Sequence, residues 1–324
     1  MRGLIGLGLD GHAARRREVL RSSLGAALTL ALPARAVWAT NGLRIVAAGG
    51  AITETLFALD AAPQLVGVDT TSLYPQAAQK LPSVGYMRTL SAEGVLSLAP
   101  THLIATEDAG PPAVLRQLGD AGVKVVVLDD GHRFEGMVQR VGKVGALLGK
   151  EAQANAIVAG LKRDWAAAQA QADEGRAQRE RLLKGRPMRV LFVLAHSMSQ
   201  VMVAGTDCAA HSMIQYIGAH NAMGSAFAGY KPLTAEAAIA AAPDVILATD
   251  QGLKAAGGVN GLLRLPGLAD TPAGRAQRVV SLEALFMLGF GPRMPQALHQ
   301  LSEACTHALS GTALGSGSSP GQPA

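Results

Sequence analysis

The sequence has few of the residues that would place it in a metal-stabilised or disulfide-rich class. Its 324 residues include only two cysteines, Cys208 and Cys305, which lie far apart in the chain. It contains no Cys-x-x-Cys pair or histidine-rich cluster, so no structural zinc site is indicated. In an oxidising compartment the two thiols either form a disulfide or stay as buried free cysteines, and their spacing does not decide between the two.

Signals for membrane spanning, nucleotide binding and hydrolysis are also missing. The apolar run from Leu24 to Leu32 is shorter than the roughly 20 residues that a membrane-spanning helix needs, and no later segment is longer. The Gly-rich turn at Gly289–Arg293 lacks the Gly-Lys-Ser/Thr of a phosphate loop. No Ser/His/Asp set or pair of carboxylates stands out for hydrolysis, and we expect that the protein is not an enzyme.

Residues 1–39 are typical of an export signal. The basic stretch Arg16-Arg17-Glu18-Val19-Leu20 precedes the apolar run, and small residues follow it. The paired arginines favour the twin-arginine type, with an ordinary secretory signal as the alternative. These 39 residues hold six arginines and two acids, a net charge of +4 out of the +5 of the whole chain. The remaining chain is therefore close to +1 and has no basic stripe for nucleic acid.

Short apolar runs alternate with amphipathic stretches along the rest of the chain. Alternation of this kind predicts an α/β fold with mostly parallel sheets. Helical patterns lie at residues 52–60, 112–121 and 293–309. The predicted strands are residues 44–47, 65–68, 102–105, 124–128, 189–194, 245–248 and 278–281.

Residues 151–184 predict one long helix, weakened near Gly175. Ile157, Leu161 and Trp165 recur there at helical spacing, and Pro187 ends the pattern. The chain then divides into an export signal and two lobes with the helix between them, followed by a Gly/Ser/Pro tail that we expect to be disordered. The corresponding ranges are 1–39, 40–150 (N-terminal lobe), 151–186 (linker helix), 187–309 (C-terminal lobe) and 310–324 (tail).

One stretch of the chain occurs twice. Residues 90–106, LSAEGVLSLAPTHLIAT, match residues 233–249, LTAEAAIAAAPDVILAT, at an offset of 143. A repeat of this length predicts two similarly built Rossmann-like lobes, and a cleft between lobes is a common place for a small ligand.

The repeat places one acid at the same position in both lobes. Ser91 and Thr234 are good N-cap residues, so Glu93 and Glu236 fall in the first turn of a helix. A favourable interaction with the helix dipole is enough to explain either acid alone. As a pair, they are also suited to docking a two-fold symmetric partner.

A second pair of residues precedes the repeat. Tyr86 and Tyr230 each follow a glycine, and each has a basic residue close behind it, Arg88 or Lys231. Half-buried tyrosines with surface cations are the ordinary interpretation. The functional one is a phenolate, favoured by the nearby charge, that binds ferric iron.

His196 follows the predicted strand Leu191–Ala195, where we expect the chain to leave the sheet. Ligands in open α/β sheets bind beyond the carboxyl ends of strands, so this histidine is a candidate ligand. A polar residue at a strand end with no ligand is the alternative.

Six motifs spread over about residues 43–305 are similar to segments of one family. They are Ala48–Glu54, Gly67–Thr71, Leu81–Tyr86, Leu90–Gly94, Val203–Gly205 and Leu288–Arg293. Together they resemble the periplasmic haem-binding proteins of bacterial haem ABC importers, within a wider group that carries cobalamin and siderophores. The resemblance implies two α/β lobes bridged by one long helix, with the ligand in the cleft between them.

The resemblance also implies roles for individual residues. Tyr86 corresponds to the axial ligand of the haem iron, and Arg88 to a basic neighbour that supports the tyrosinate. His196 corresponds to a histidine with which some members bind a second, stacked haem, so one or two haems are expected. The segment Ser197–Gln200 departs from the Gly-rich turn that relatives often have there, which affects the orientation expected for His196.

The same resemblance implies the partners and the location. Glu93 and Glu236 correspond to acids that contact arginines of an ABC permease. We expect a monomer in the periplasm, with an outer-membrane haem receptor system as a further partner. Tyr230 is a further cleft candidate, and Arg88, Lys231 and Arg293 are candidate cations for the haem propionates.

Three other functions remain open from the sequence. A carrier of the same fold for ferric siderophore or cobalamin is the nearest. A tetrapyrrole metal chelatase-like enzyme is the alternative from another class, and the export signal and paired acids count against it. The third is a purely structural envelope protein, which would not explain why the Gly-Tyr-cation pattern occurs twice.

Overall fold

A computed structural model describes residues 42–311 apart from 130, 198, 199 and 225. The predicted export signal and most of the predicted tail therefore lie outside the described residues. The described chain forms two α/β lobes joined by one long helix, as the alternating pattern predicts.

The N-terminal lobe contains a parallel sheet. The central strands β1 and β3 are apolar runs that are buried on both faces, which is typical of parallel sheets, whereas the edge strand β4 is partly exposed. They follow the order β2-β1-β3-β4 across the sheet. Their bounds are β1 Ile45–Ala48, β2 Leu65–Val68, β3 His102–Thr106 and β4 Lys124–Leu128.

The C-terminal lobe contains a mixed sheet in the order β10-β9-β5-β6-β8, with β7 beside β5. The strands β10, β9 and β5 are parallel, whereas β6 and β8 add antiparallel pairs. A short connection between β5 and β6 explains the difference, because adjacent antiparallel strands need no crossover helix. The bounds are β5 Arg189–Ser197, β6 Gln200–Ala204, β7 His220–Asn221, β8 Tyr230–Pro232, β9 Val245–Thr249 and β10 Val279–Leu282.

Helices follow most strands and cover the sheets. In the N-terminal lobe they are α1 Gly50–Ala58, α2 Ala92–Leu96, α3 Pro112–Asp120 and α4 Phe134–Leu147, and α5 Glu151–Leu182 links the lobes. In the C-terminal lobe they are α6 Ala209–Tyr216, α7 Ala235–Ala241, α8 Asp250–Ala255, α9 Gly258–Leu263, α10 Pro272–Arg275, α11 Ala284–Leu288 and α12 Met294–Ser310. Among the described residues, no helix is both long enough and apolar enough to cross a bilayer.

The predicted long helix α5 is continuous over 32 residues and passes through Gly175 without a break. Helix α12 packs closely there, and a Cβ on Gly175 would lie 2.8 Å from the Ser302 hydroxyl. One turn later, the buried Arg179 donates to the carbonyl oxygen of Ser302 and the hydroxyl of Thr306, at 3.0 and 2.8 Å. The glycine therefore allows close helix packing and does not break the helix.

The sequence repeat is a structural repeat. The segments α2-β3 and α7-β9 have the same cap, since Ser91 and Thr234 each accept a hydrogen bond from the backbone N–H three residues later. Ala99 and Ala242, 143 residues apart, end the two helical segments with positive φ angles of 45° and 41°. Each is followed by a proline, which cannot continue a helix.

An aromatic cluster joins α5 to both lobes. Trp165 of α5 stacks on Phe134 of the N-terminal lobe, with ring centroids 4.5 Å apart. It also meets Tyr216 of the C-terminal lobe edge-on at 4.8 Å. The hydroxyl of Tyr216 accepts a hydrogen bond from the backbone N–H of Phe134 at 3.2 Å. The long helix is thus packed against both lobes through one buried side chain.

Candidate functional site

A cleft of about 560 Å³ lies between the two lobes. The segments that follow β1, β2 and β3 line it from the N-terminal lobe, through Gly49, Thr71 and Asp108 among others. Gln251 after β9 and Leu285 after β10 line it from the C-terminal lobe. Both sheets therefore present the carboxyl ends of their strands to the same space, which is the usual position of a ligand in open α/β sheets.

Asp69 organises the N-terminal floor of the cleft. Its buried carboxylate accepts hydrogen bonds from the backbone N–H of Gly49 at 2.9 Å and from the hydroxyls of Thr71 and Ser72 at 2.7 and 3.0 Å. The hydroxyl of Thr71 in turn accepts from the N–H of Gly50 at 2.9 Å. The loops after β1 and β2 are therefore held together before any ligand arrives.

Tyr86 and Arg88 line the cleft from the N-terminal lobe. Gly85 has a φ of 84°, a conformation that favours glycine, and it leads directly into Tyr86. The tyrosine side chain is 43% exposed, so its phenol is accessible at the cleft. Arg88 forms an ion pair with Asp108, N···O 2.7 Å, which directs its guanidinium to the same wall.

Tyr230, the counterpart of Tyr86 in the repeat, also lines the cleft but has different surroundings. It too follows a glycine of positive φ, Gly229 at 72°. Burial raises the pKa of the Tyr230 phenol, and its hydrogen bond with the Cys208 thiol raises it further. The Ala210 N–H and Arg88 act in the opposite direction without overcoming burial. Burial therefore disfavours the Tyr230 phenolate, and Tyr230 is less exposed than Tyr86.

Two of the candidate cations have other partners. Lys231 lies on β8, where it is exposed and its Nζ is 5.2 Å from the ring centroid of Phe227. Arg293 forms an ion pair with the buried carboxylate of Glu54 at 3.0 Å. Neither Lys231 nor Arg293 is among the residues lining the cleft, whereas Arg88 is.

Glu93 and Glu236 have the predicted surroundings. Both are exposed, and each lies in the first turn of its helix, α2 or α7. Neither lines the cleft. Their exposure leaves both carboxylates available to a partner.

The strand β5 continues through His196 to Ser197 and then pairs with β6, so the expectation that the chain leaves the sheet at His196 is wrong. The pairing register shifts between Ala195 and Ser197, which marks a β-bulge at His196. The side chain of His196 lies outside what the structure describes.

The apolar walls of the cleft were not identified from the sequence. Leu73 lines it from the N-terminal lobe, and Leu194, Leu285 and Leu288 line it from the C-terminal lobe. The 40% exposure of Leu73 is unusual for a large apolar side chain on a loop, but sequence gives no measure of exposure. The position of Leu285, four residues after the end of the predicted strand 278–281, is the one signal that was available.

Another depression, of about 630 Å³, is lined by Arg176, His211, His220 and neighbouring residues. It contains none of the candidate iron ligands. Among the described residues, no group of three or more His, Cys, Asp or Glu side chains is arranged to hold a metal ion. The cleft therefore remains the candidate site.

Comparison with known proteins agrees with this architecture. Residues 45–285 match the periplasmic binding protein family. The periplasmic heme-binding protein BhuT, solved in complex with two hemes, is 47% identical, with a TM-score of 0.75 over 82% of this chain and 98% of BhuT. The periplasmic heme-binding protein RhuT from Roseiflexus sp. RS-1 is 41% identical, with a TM-score of 0.77 over 83% of this chain and 99% of RhuT.

A curated relative points to the same transport class. The ABC transporter substrate-binding lipoprotein YvrC of Bacillus subtilis (strain 168) is 27% identical over 78% of this chain and 76% of YvrC. These matches confirm the resemblance and the two-lobed fold that the motifs implied. The chain belongs to the periplasmic binding protein family.

Proposed function

We propose that this protein captures ferric haem in the cleft between its lobes and delivers it to an ABC permease. The observation that carries the proposal is the exposed Tyr86 phenol beside Arg88, in a cleft with leucine walls. Haem needs an apolar slot for its flat ring and a ligand for its iron. Tyrosine is a known haem ligand. The 47% and 41% identity to heme-binding proteins supports the same ligand.

Tyr86, rather than Tyr230, is the proposed iron ligand. Ionisation of the Tyr230 phenol is opposed by burial and by its hydrogen bond with Cys208. Tyr86 lies at the accessible face of the cleft, and Arg88 lines the same cleft two residues later. Arg88 is also the best-placed of the three candidate cations for a haem propionate.

The two exposed acids support the delivery of haem to a permease. Glu93 and Glu236 occupy equivalent positions in the two lobes and do not line the cleft. A permease dimer could therefore contact both lobes while the ligand is still bound. In this proposal the protein is a periplasmic monomer and not an enzyme, and residues 1–39 direct its export. A second haem bound through His196 belongs to the same proposal.

A hemin titration of the protein without residues 1–39 tests the proposal. A new Soret band that saturates at one or two equivalents is expected, and cobalamin or a ferric siderophore should not displace the hemin. Saturable binding of cobalamin or siderophore, with no Soret change on adding hemin, would assign the cleft to the other carriers of this fold. Turnover of free porphyrin and metal would instead favour the chelatase alternative.

A further inference from the structure

Two of the family motifs meet across the boundary between the lobes. Glu54 lies on α1 of the N-terminal lobe, and Arg293 directly precedes α12 in the C-terminal lobe, 239 positions later. The carboxylate of Glu54 accepts hydrogen bonds from the Nε and the backbone N–H of Arg293 at 3.0 and 3.1 Å, and from its Nη2 at 3.1 Å. Three hydrogen bonds, two of them from the guanidinium and one from the backbone, therefore join Arg293 to the Glu54 carboxylate across the boundary.

Aromatic rings from both lobes enclose the same guanidinium. Its central carbon lies 3.7 Å from the ring centroid of Tyr74 in the N-terminal lobe and 5.1 Å from that of Phe286 in the C-terminal lobe. Both distances are within the range of cation–π attraction. We refer to Glu54, Tyr74, Phe286 and Arg293 as the inter-lobe clamp.

Close backbone approach supports this contact. A Cβ on Gly291 would lie 2.9 Å from the carboxylate of Glu54, so a larger residue would displace the ion pair. A Cβ on Gly50 would lie 2.6 Å from the side chain of Leu285 in the other lobe. Glycines on both sides of the boundary thus let the lobes come together at the clamp.

The clamp adjoins one wall of the cleft. Leu285, Leu288 and Gly289 line the cleft, and Phe286 of the clamp lies between them in sequence. Arg293 follows only four residues after Gly289. Fixing Arg293 to Glu54 therefore fixes the position of this wall relative to the N-terminal lobe.

The environment of the carboxylate makes the contact hard to break. Glu54 is 4% exposed, and burial raises its pKa even though the ion pair with Arg293 acts in the opposite direction. Removing one partner of a buried pair leaves an uncompensated charge and is strongly unfavourable. An exposed pair such as Arg88–Asp108 lacks this penalty.

We propose that the inter-lobe clamp holds the empty cleft at the width that the ligand requires, which makes Glu54 and Arg293 positioning residues for ligand capture. The part that concerns haem rests on the proposed function. If a clamp variant keeps the wild-type width in only a fraction of molecules, the apparent Kd rises by the inverse of that fraction. A fraction of one in ten thus corresponds to an affinity about tenfold weaker.

The experiment measures the lobe separation and the affinity on the same variants. Spin labels are placed at Ser97→Cys and Ala240→Cys, which are exposed on the two lobes, while the native cysteines are buried. Glu54→Gln and Arg293→Gln break the clamp. Arg186→Gln is the matched control, since Arg186 pairs with the buried Asp244 at 2.6 Å within one lobe. Pulsed electron–electron double resonance then gives the distribution of distances between the two spin labels in the ligand-free protein, and hemin titration gives Kd.

Both clamp variants should broaden the distance distribution and raise the hemin Kd by the matching factor, with Arg186→Gln unchanged in both. A wild-type distribution in folded Glu54→Gln and Arg293→Gln would overturn the proposal. If neither variant folds, Tyr74→Ala removes one aromatic ring of the clamp from an exposed position. An unchanged distance distribution in Tyr74→Ala would then overturn the proposal. Wild-type protein that does not bind hemin would refute the proposed function, while the distance measurement would still decide on the clamp.

Discussion

Reversing the charge of Glu93 or Glu236 should weaken permease docking and leave hemin binding intact. Both acids are exposed at helix N-termini and lie outside the cleft. An exposed ion pair contributes about 0.2–1 kcal/mol, and a lysine replaces this attraction with repulsion of similar size. Each Glu→Lys change should therefore cost about 0.4–2 kcal/mol of docking free energy, roughly twofold to thirtyfold in Kd.

The same substitutions remove a favourable charge from a helix N-terminus. That loss, with the repulsion that a lysine adds, should lower the free energy of unfolding by about 0.6–2 kcal/mol. Glu151→Lys is the matched control, because Glu151 is an exposed acid in the first turn of α5 and is not part of the repeat. It should share the stability loss without the docking loss.

Docking is measured by surface plasmon resonance against the haem permease in lipid nanodiscs, at two ionic strengths. The wild-type affinity should fall with salt, since exposed charges are screened. In Glu93→Lys combined with Glu236→Lys, the two effects should add and the salt dependence should reverse, because salt then screens a repulsion. Docking of the double variant equal to that of Glu151→Lys, or a loss of hemin binding with normal docking, would refute the role of the acids.

Three further predictions concern the ligand number, the linker helix and the alkaline limit of stability. Wild type should titrate to two equivalents of hemin and His196→Ala to one; a single equivalent in wild type would remove His196 from the site. Fluorescence of the buried Trp165 should be quenched strongly by hemin but hardly by a non-absorbing competitor, and a large change with that competitor would mean that α5 moves on binding. Burial raises the pKa of Cys305 from 9.0 to about 12, so the folded state holds a proton that the unfolded state has lost. The contribution of the Cys305 thiol to the free energy of unfolding is complete below pH 9, and up to about 1.4 kcal/mol of it is lost per pH unit as the pH rises towards 12. In denaturant titrations between pH 9 and 11, Cys305→Ala should therefore lose less stability than wild type. Equal losses in the two proteins would contradict this.

Much of the fold was available from the sequence because local patterns determine it. Apolar runs bounded by helical patterns gave the strands of both lobes, and the 143-residue repeat gave the equivalence of α2-β3 and α7-β9. The linker helix followed from the spacing of Ile157, Leu161 and Trp165. The antiparallel addition of β6 and β8 was missed, because pairing between strands leaves no periodicity in either strand alone.

The site was predictable in part. The sequence paired Tyr86 with Tyr230, one residue out of register with the repeat, and the glycine before each has a positive φ in the structure. It did not show that Cys208 would contact the second phenol, because that contact joins residues 22 positions apart through packing. It likewise treated Arg293 as a free cation, whereas its partner Glu54 lies 239 positions away. Glu54, the one charged residue of the buried helix α1, was the available signal that a buried partner was needed.

The ferric absorption spectrum of Tyr86→Phe, compared with Tyr230→Phe, tests the central claim most directly. Each substitution removes one phenolic oxygen and keeps the ring. We expect Tyr86→Phe to lose the tyrosinate-to-iron charge-transfer absorption, and to weaken hemin binding by more than the roughly 10–100-fold that loss of an outer-shell partner costs. Tyr230→Phe should retain the wild-type spectrum, because that phenol stays protonated. An unchanged spectrum in Tyr86→Phe, or loss of the band in Tyr230→Phe alone, would contradict the assignment of Tyr86 as the iron ligand.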